Sequence, residues 1–248
     1  MRRLVLATLG AALTGACAPT EVGAPSTLLW DTYDVVGVGR VSTDGLRPER
    51  MIPLRLRWSA LTVRNGQVKG SVQREGGRAF SVTGTYEGAS GELIFKGSIA
   101  ALTSSVTETI ERLGAQVKDG IPTDGIGSTL TGYLRTRVGP QVVDGRFVGT
   151  ARTDRRPDPV DAARISTTVK TVGVVEIRAE AGSSTPNTTV EIFVYTLAEA
   201  DPRFFIAQVD ANGAFETDVD GLLGDYVVIR PQIAGAAGEA RIFEVTQP

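Results

Sequence analysis

The side chains that usually carry catalysis are scarce in this sequence or stand alone. There is no histidine in 248 residues, so Ser-His-Asp and Cys-His sites are excluded, together with histidine zinc sites and histidine-based pH switching. The single cysteine is Cys17. A disulfide within the chain and a multi-cysteine metal site are therefore impossible. Oxygen ligands cluster once, at Asp210, Asn212, Asp218 and Asp220, with Asp225 beyond them. Hard cations such as calcium want this kind of donor. The EF-hand spacing is absent, however, and Asn212-Gly213 and Asp220-Gly221 are also what tight turns require. Turn chemistry is the favoured reading and calcium the alternative.

Two further patterns could carry chemistry. Arg55 and Arg57, and again Arg135 and Arg137, alternate with apolar residues. They could form a basic stripe for an anionic glycan or lipid headgroup. The simpler reading is the polar outer face of a half-buried sheet, where arginine also discourages edge pairing. Scattered Asp and Glu residues form no pattern that singles out a glycosidase pair. Aromatic residues are 6% of the chain, with two tryptophans, Trp30 and Trp58, so carbohydrate stacking has little material. No catalytic residue and no cofactor is expected, and the chain reads as a non-enzyme.

The elements that must position these residues begin with an export signal. Arg2-Arg3 precede an apolar run from Leu4 to Leu13, and small residues follow up to Ala16. A membrane-spanning helix needs about 20 apolar residues, and this run is too short for one. Residues 1–16 are expected to be a cleaved signal peptide. Their removal takes Arg2 and Arg3 and leaves 24 basic against 28 acidic residues. An acidic body of that kind is a poor partner for nucleic acid. The stretch Leu13-Thr14-Gly15-Ala16-Cys17 resembles the lipobox of bacterial lipoproteins, with Thr14 where that family prefers Leu. The resemblance implies lipidation of Cys17 and a membrane partner through the lipid. Ala18 in the following position implies an outer-membrane destination. An unmodified lone thiol in an oxidising compartment would be a liability, which also favours acylation.

Residues 17–27 are small, polar and proline-bearing, and read as a lipid-anchored tether. The 29 glycines and 12 prolines punctuate short apolar alternations, which favours strands and turns over long helices. Residues 28–153 read as an antiparallel β-meander or barrel-like domain. Leu54, Leu56 and Trp58 alternate with arginines, Asn65-Gly66 marks a tight turn, and Asp144-Gly145 marks a bulge or bend. One helix is expected near 100–118, because Ile99, Leu102, Val106, Ile110, Leu113 and Val117 recur every three or four residues. Residues 154–165, with Arg155-Arg156-Pro157-Asp158-Pro159, read as a linker that few contacts cross.

Residues 166–248 contain six short strand patterns at regular spacing, the signature of a β-sandwich. Three segments carry a further resemblance: Val190 to Tyr195, Asp210-Ala211-Asn212-Gly213-Ala214-Phe215, and Gly224 to Arg230. They resemble a bacterial Ig-like or transthyretin-like repeat, in which an Asp-x-Asn-Gly turn joins two strands and the next aromatic enters the core. That implies Phe215 inside, with Val190, Ile192 and Val194 facing the same interior. The fold class is thus mainly β: a meander or barrel-like domain with one helix, then an Ig-like sandwich. The expected function is a non-catalytic cell-envelope lipoprotein with a structural, adhesive or protein-binding role, its partner an envelope protein or glycan. The alternative is a small apolar ligand carrier that uses residues 28–153 as a lipocalin-like cup. A filled interior speaks for the first, and an apolar cavity of about 300 Å³ or more for the second.

Overall fold

Alternation sets the first half of the molecule. In the strand from Arg50 to Arg64, Leu54, Leu56 and Trp58 are buried while Arg55 and Arg57 face solvent, and a one-residue register shift between Ser59 and Thr62 then puts Leu61 and Val63 on the buried face. The computed structural model describes residues 31–77, 79–96, 99–103, 106–118, 128–153 and 156–248. The export signal, Cys17 and the tether lie outside the described residues. Nine strands follow in chain order: β1 Tyr33–Ser42, β2 Arg50–Arg64, β3 Gln67–Arg74, β4 Ala79–Glu87, β5 Glu92–Phe95, β6 Ile99–Thr103, β7 Val106–Lys118, β8 Thr129–Val138 and β9 Gln141–Ala151. Each pairs antiparallel with its sequence neighbour, except that β5 and β6 share one partner. Residues 92–95 face 113–116 of β7, and residues 99–103 face 106–110. β9 returns to β1, from Tyr33 opposite Ala151 to Ser42 opposite Val142. The pairing of β5 with β7 closes the sheet into an up-and-down barrel of eight staves, β5 and β6 sharing one, and among the described residues β6 pairs on its β7 side only.

The expected helix near 100–118 is replaced by β6 and β7. The reason lies in the register. β7 slips by one residue against β8 between Ile110 and Arg112. A bulge changes the parity of everything after it. Ile110, Leu113, Ala115 and Val117 are consequently all buried, and the step from 110 to 113 imitates a helical spacing. The step of four from 113 to 117 fits a strand as well as a helix, being twice the strand period. Asp144-Gly145 makes no bulge, since β9 pairs without a shift on both sides. Gly145 instead makes room inside the barrel: a Cβ there would lie 2.4 Å from Leu54 Cδ1. Gly132 does the same for Phe147, whose ring would sit 2.4 Å from an added Cβ. Asn65 and Gly66 both take positive φ, at 50° and 72°, as the β2–β3 hairpin requires.

The barrel axis is occupied by side chains. Trp58 is fully buried, and its ring meets Phe95 at 5.3 Å and Phe147 at 5.4 Å, both edge-on. Leu54, Leu93, Leu113, Leu130 and Leu134 fill the space around them. Towards one end Tyr33 Oη and Ser128 Oγ share a hydrogen bond at 2.5 Å. Towards the other, Arg74 Nη1 donates to the buried Glu108 at 2.6 Å.

The second half begins with a short 3-10 turn at Ala162–Arg164, capped by Asp161. Eight strands follow: β10 Ile165–Thr171, β11 Val174–Ala179, β12 Thr189–Tyr195, β13 Arg203–Gln208, β14 Phe215–Asp220, β15 Tyr226–Ile233, β16 Ala236–Ala237 and β17 Arg241–Glu244. They form two antiparallel sheets, β10-β11-β14 and β13-β12-β15, with β16 and β17 both on the far side of β15. One core lies between the sheets, built from Val175, Ile177, Phe215 and Val219 on one side and Val190, Ile192, Val194, Val227 and Ile229 on the other. The Asn212-Gly213 turn does not close a hairpin. It carries the chain from β13 in one sheet to β14 in the other. Phe215 is buried at its exit, and Phe215→Ala should cost about 3 kcal/mol, read as a lowered melting temperature.

The linker is not free of contacts. The outward face of β1 and β9 packs on the outward face of β12, β15 and β17, through Val36, Val38 and Val148 against Phe193, Tyr195, Val228 and Ala240. β12 is nearly all apolar for this reason: Val190, Ile192 and Val194 face the inter-sheet core while Phe193 and Tyr195 face the barrel. Wild-type protein should accordingly unfold as one body, and Phe215→Ala should lower that single transition.

Candidate functional site

The junction between the barrel and the two-sheet unit gathers most of the notable polar groups. At its centre is Arg230, 3% exposed. Its Nε donates to Glu191 Oε2 at 2.7 Å, its Nη1 to the carbonyl of Gly149 at 3.1 Å, and its guanidinium lies 5.4 Å from the centre of the Phe193 ring. Gln232 Nε2 gives the same Glu191 oxygen a second hydrogen bond at 2.9 Å. A buried cation is tolerated only with partners of this kind. Tyr195 is buried beside it, and burial pushes its phenol well above the ordinary range. Thr150 Oγ1 donates to the carbonyl of Gly238 at 2.9 Å and links β9 to the β16–β17 turn.

Asp34, on β1, anchors the chain that connects the two halves. It accepts from Arg156 Nη1 at 2.7 Å and from Arg152 Nε at 3.2 Å, and Arg156 also reaches Glu239 at 3.1 Å. Burial raises the carboxyl of Asp34, but the hydrogen bonds and charges of the two arginines outweigh it and hold its pKa below the usual carboxylate value. Arg156, read from the sequence as part of a free linker, is thus a clamp with only 14% of its side chain exposed.

Two grooves flank the junction. One, of about 350 Å³, runs between Asp34, Arg55, Arg57, Glu75, Glu239 and Arg241 and is strongly charged. The other, of about 330 Å³, is bounded by Tyr133, Phe193, Pro202 and the Arg146–Asp201 ion pair, which closes at 2.7 Å. Its walls are aromatic and aliphatic, with Tyr133 37% exposed and the Arg146 guanidinium 6.0 Å from the centre of the Tyr133 ring. Such a surface offers stacking and apolar contact with a charged rim.

The residues singled out in the sequence fall elsewhere. Asp210 Oδ1 accepts from the backbone of Asn212 at 2.8 Å and of Ala214 at 2.9 Å, so it shapes the inter-sheet turn. Asp218 pairs with Lys170 at 3.0 Å, and Asp220 lies 3.7 Å from Arg203. Asp225 is buried, which raises its pKa, and it accepts from the N–H of Leu222 at 2.8 Å. Among the described residues no group of three or more acidic side chains could hold a metal ion. The four arginines do not make one stripe. Arg55 and Arg57 stand on β2 and Arg135 and Arg137 on β8, with β1 and β9 and the covering two-sheet unit between them. Each has an acidic partner: Glu75 at 3.5 Å, Asp34 at 3.5 Å, Glu111 at 3.0 Å and Glu111 at 2.7 Å respectively. Cys17 lies outside the described residues.

Sequence reading missed Arg230, Asp34 and Tyr133. The signal for Arg230 was present: one arginine inside the apolar run from Tyr226 to Ile233 marks a buried, partnered charge. Asp34 carries no such mark, because its arginines come 118 and 122 positions later.

No protein-family model matches the chain, and no curated protein matches it. Two solved structures align with most of it. One is a protein of Corynebacterium diphtheriae described as membrane anchored, at 13% identity and a TM-score of 0.22, over 88% of this chain and 59% of the other. The second is a pullulanase from Bacillus acidopullulyticus, at 10% identity and a TM-score of 0.23, over 87% of this chain and 32% of the other. This chain therefore spans about three-fifths of the first and about a third of the second.

Proposed function

We propose that this chain is a non-catalytic cell-envelope lipoprotein. It is exported, acylated on Cys17, carried to the outer membrane, and holds a rigid binding surface at the end of a short tether. The observation that carries this reading is the filled barrel. Trp58, Phe95 and Phe147 occupy the axis where a carrier would keep its ligand. An eight-stave up-and-down barrel is also the architecture of ligand-binding cups, so topology alone leaves the carrier open. The packed interior supports the scaffold instead. The barrel wall points arginines and glutamates outward and apolar groups inward, the reverse of a barrel that faces lipid.

The strand order of the second unit supports the Ig-like half of the resemblance. A three-strand sheet, β10-β11-β14, faces a sheet in which β12 and β15 are central and β13 and β17 flank them. An Ig sandwich whose fourth strand lies on the second sheet instead of the first has this arrangement. The carboxylates at the junction are held by arginines, which suits recognition better than proton transfer. An envelope protein or glycan is the partner this surface would meet.

The anchor is tested by fractionation. Cys17→Ser should release the protein from the membrane fraction or leave the precursor uncleaved. Wild type and variant both soluble and processed at the same site would exclude the lipoprotein reading.

A further inference from the structure

Sheet edges expose rows of unpaired N–H and C=O groups, and proteins normally block them. The barrel closes through β5 on β7, with the short β6 paired on one side only, and the other edges of the two-sheet unit are guarded. β14 turns Glu216, Asp218 and Asp220 outward. β10 is bulged between Val169 and Thr171, carries Lys170, and is covered by the C-terminal chain, where Thr246 exchanges backbone hydrogen bonds with Thr167 and Val169. β17 is four residues long and bears Arg241 and Glu244.

β13 has none of these devices. It reads Arg-Phe-Phe-Ile-Ala-Gln, pairs with β12 without a register shift, and holds no charge, proline or bulge after Arg203. Among the described residues no backbone group bonds to its outer edge. Phe204 and Ile206 share one face of it and are 51% and 59% exposed. The Phe204 ring lies 5.2 Å from Phe193, so this apolar strip runs into the aromatic groove at Tyr133 and Pro202.

We propose that β13 is a self-association edge, pairing antiparallel with β13 of a second copy of this chain about a two-fold axis through Phe205. An open edge requires an extended strand as its partner. The inner face of the sheet is already covered by β10-β11-β14, so the two copies must present the same face and the axis must run perpendicular to the sheet. Side chains directly opposite one another then share a parity, which places the axis on a residue rather than between two. With Phe205 at the centre, Phe204 stands opposite Ile206 of the partner subunit, and Ile206 opposite Phe204 of the partner subunit. Directly opposed Cβ atoms lie about 4.5–5.5 Å apart, and aromatic with β-branched is a favourable pair. The two exposed apolar side chains of each copy cover those of the other, a match that an arbitrary foreign strand does not supply.

The test uses the full chain extracted in detergent, followed by sedimentation and by amide hydrogen exchange across a concentration series. Wild type should form a concentration-dependent dimer, and exchange in residues 203–208 should slow by about tenfold or more as the dimer forms. Ile206→Lys should stay monomeric and melt where dilute, monomeric wild type melts, because the side chain is mostly exposed, and Ile206→Val should keep the dimer. Wild type that is monomeric at every concentration, with exchange in β13 as fast as in Ile206→Lys, overturns the proposal. So does a dimer that Ile206→Lys leaves intact.

Discussion

Arg230→Ala should split a single thermal transition into two and destabilise the two-sheet unit by about 3–5 kcal/mol, the usual cost of removing one member of a buried ion pair. Three losses coincide there. Glu191 keeps its charge in a mostly covered position without its guanidinium, the Gly149 carbonyl of the barrel loses its donor, and the Phe193 ring loses the cation above it. The apolar contacts of the junction remain but no longer hold the halves in register. Double replacement, Arg230→Met with Glu191→Met, should recover much of the loss, since exchanging a whole buried pair for apolar groups is often neutral. Differential scanning calorimetry reads both variants. One transition at the wild-type temperature for Arg230→Ala would show that the ion pair does not couple the halves.

Trp58→Ala should be comparably severe, at about 3–5 kcal/mol, which lowers the melting temperature by roughly 10 °C for a chain of this size. The indole touches two rings at the centre of the barrel and is fully buried. Its removal leaves an apolar space closed by a continuous sheet, which has little freedom to collapse. Cavities of this kind stay dry and accept small aromatic molecules. Added indole should therefore bind the variant and restore part of the lost melting temperature, while leaving wild type unaffected. Unchanged melting of Trp58→Ala would mean that the interior is not packed around this residue, and the carrier reading would regain its footing.

Much of the strand pattern was legible because its cause is local. Leu54, Leu56 and Trp58 alternate with Arg55 and Arg57, and the pleat sends them to opposite faces whatever the rest of the chain does. The same holds for Val190, Ile192 and Val194, which are all buried. β7 was misread because a bulge is a fault in the period. After Ile110 the parity changes, and a rule built on uniform spacing takes the result for a helix. The linker was misread for a different reason. Proline and charge do mark a connection between units, but Arg152 and Arg156 meet Asp34 near the start of β1, and no local pattern announces a partner so distant. The junction itself left a trace that went unused: Val190-Glu191-Ile192-Phe193-Val194-Tyr195 is too continuously apolar for a strand with one wet face. Among the acidic residues between 210 and 225, Asp210 shapes the turn after β13 through its carboxylate. What the turn connects, two sheets rather than two paired strands, depends on topology.

Mass spectrometry of the native protein extracted from membranes tests the proposed function most directly, because it weighs the anchor and any bound ligand together. The chain is expected to begin at Cys17, to carry a diacylglyceryl group and fatty acid on that residue, and to bring no stoichiometric small molecule with it. An unmodified Cys17 on a soluble chain, or an apolar ligand bound one to one, would contradict it.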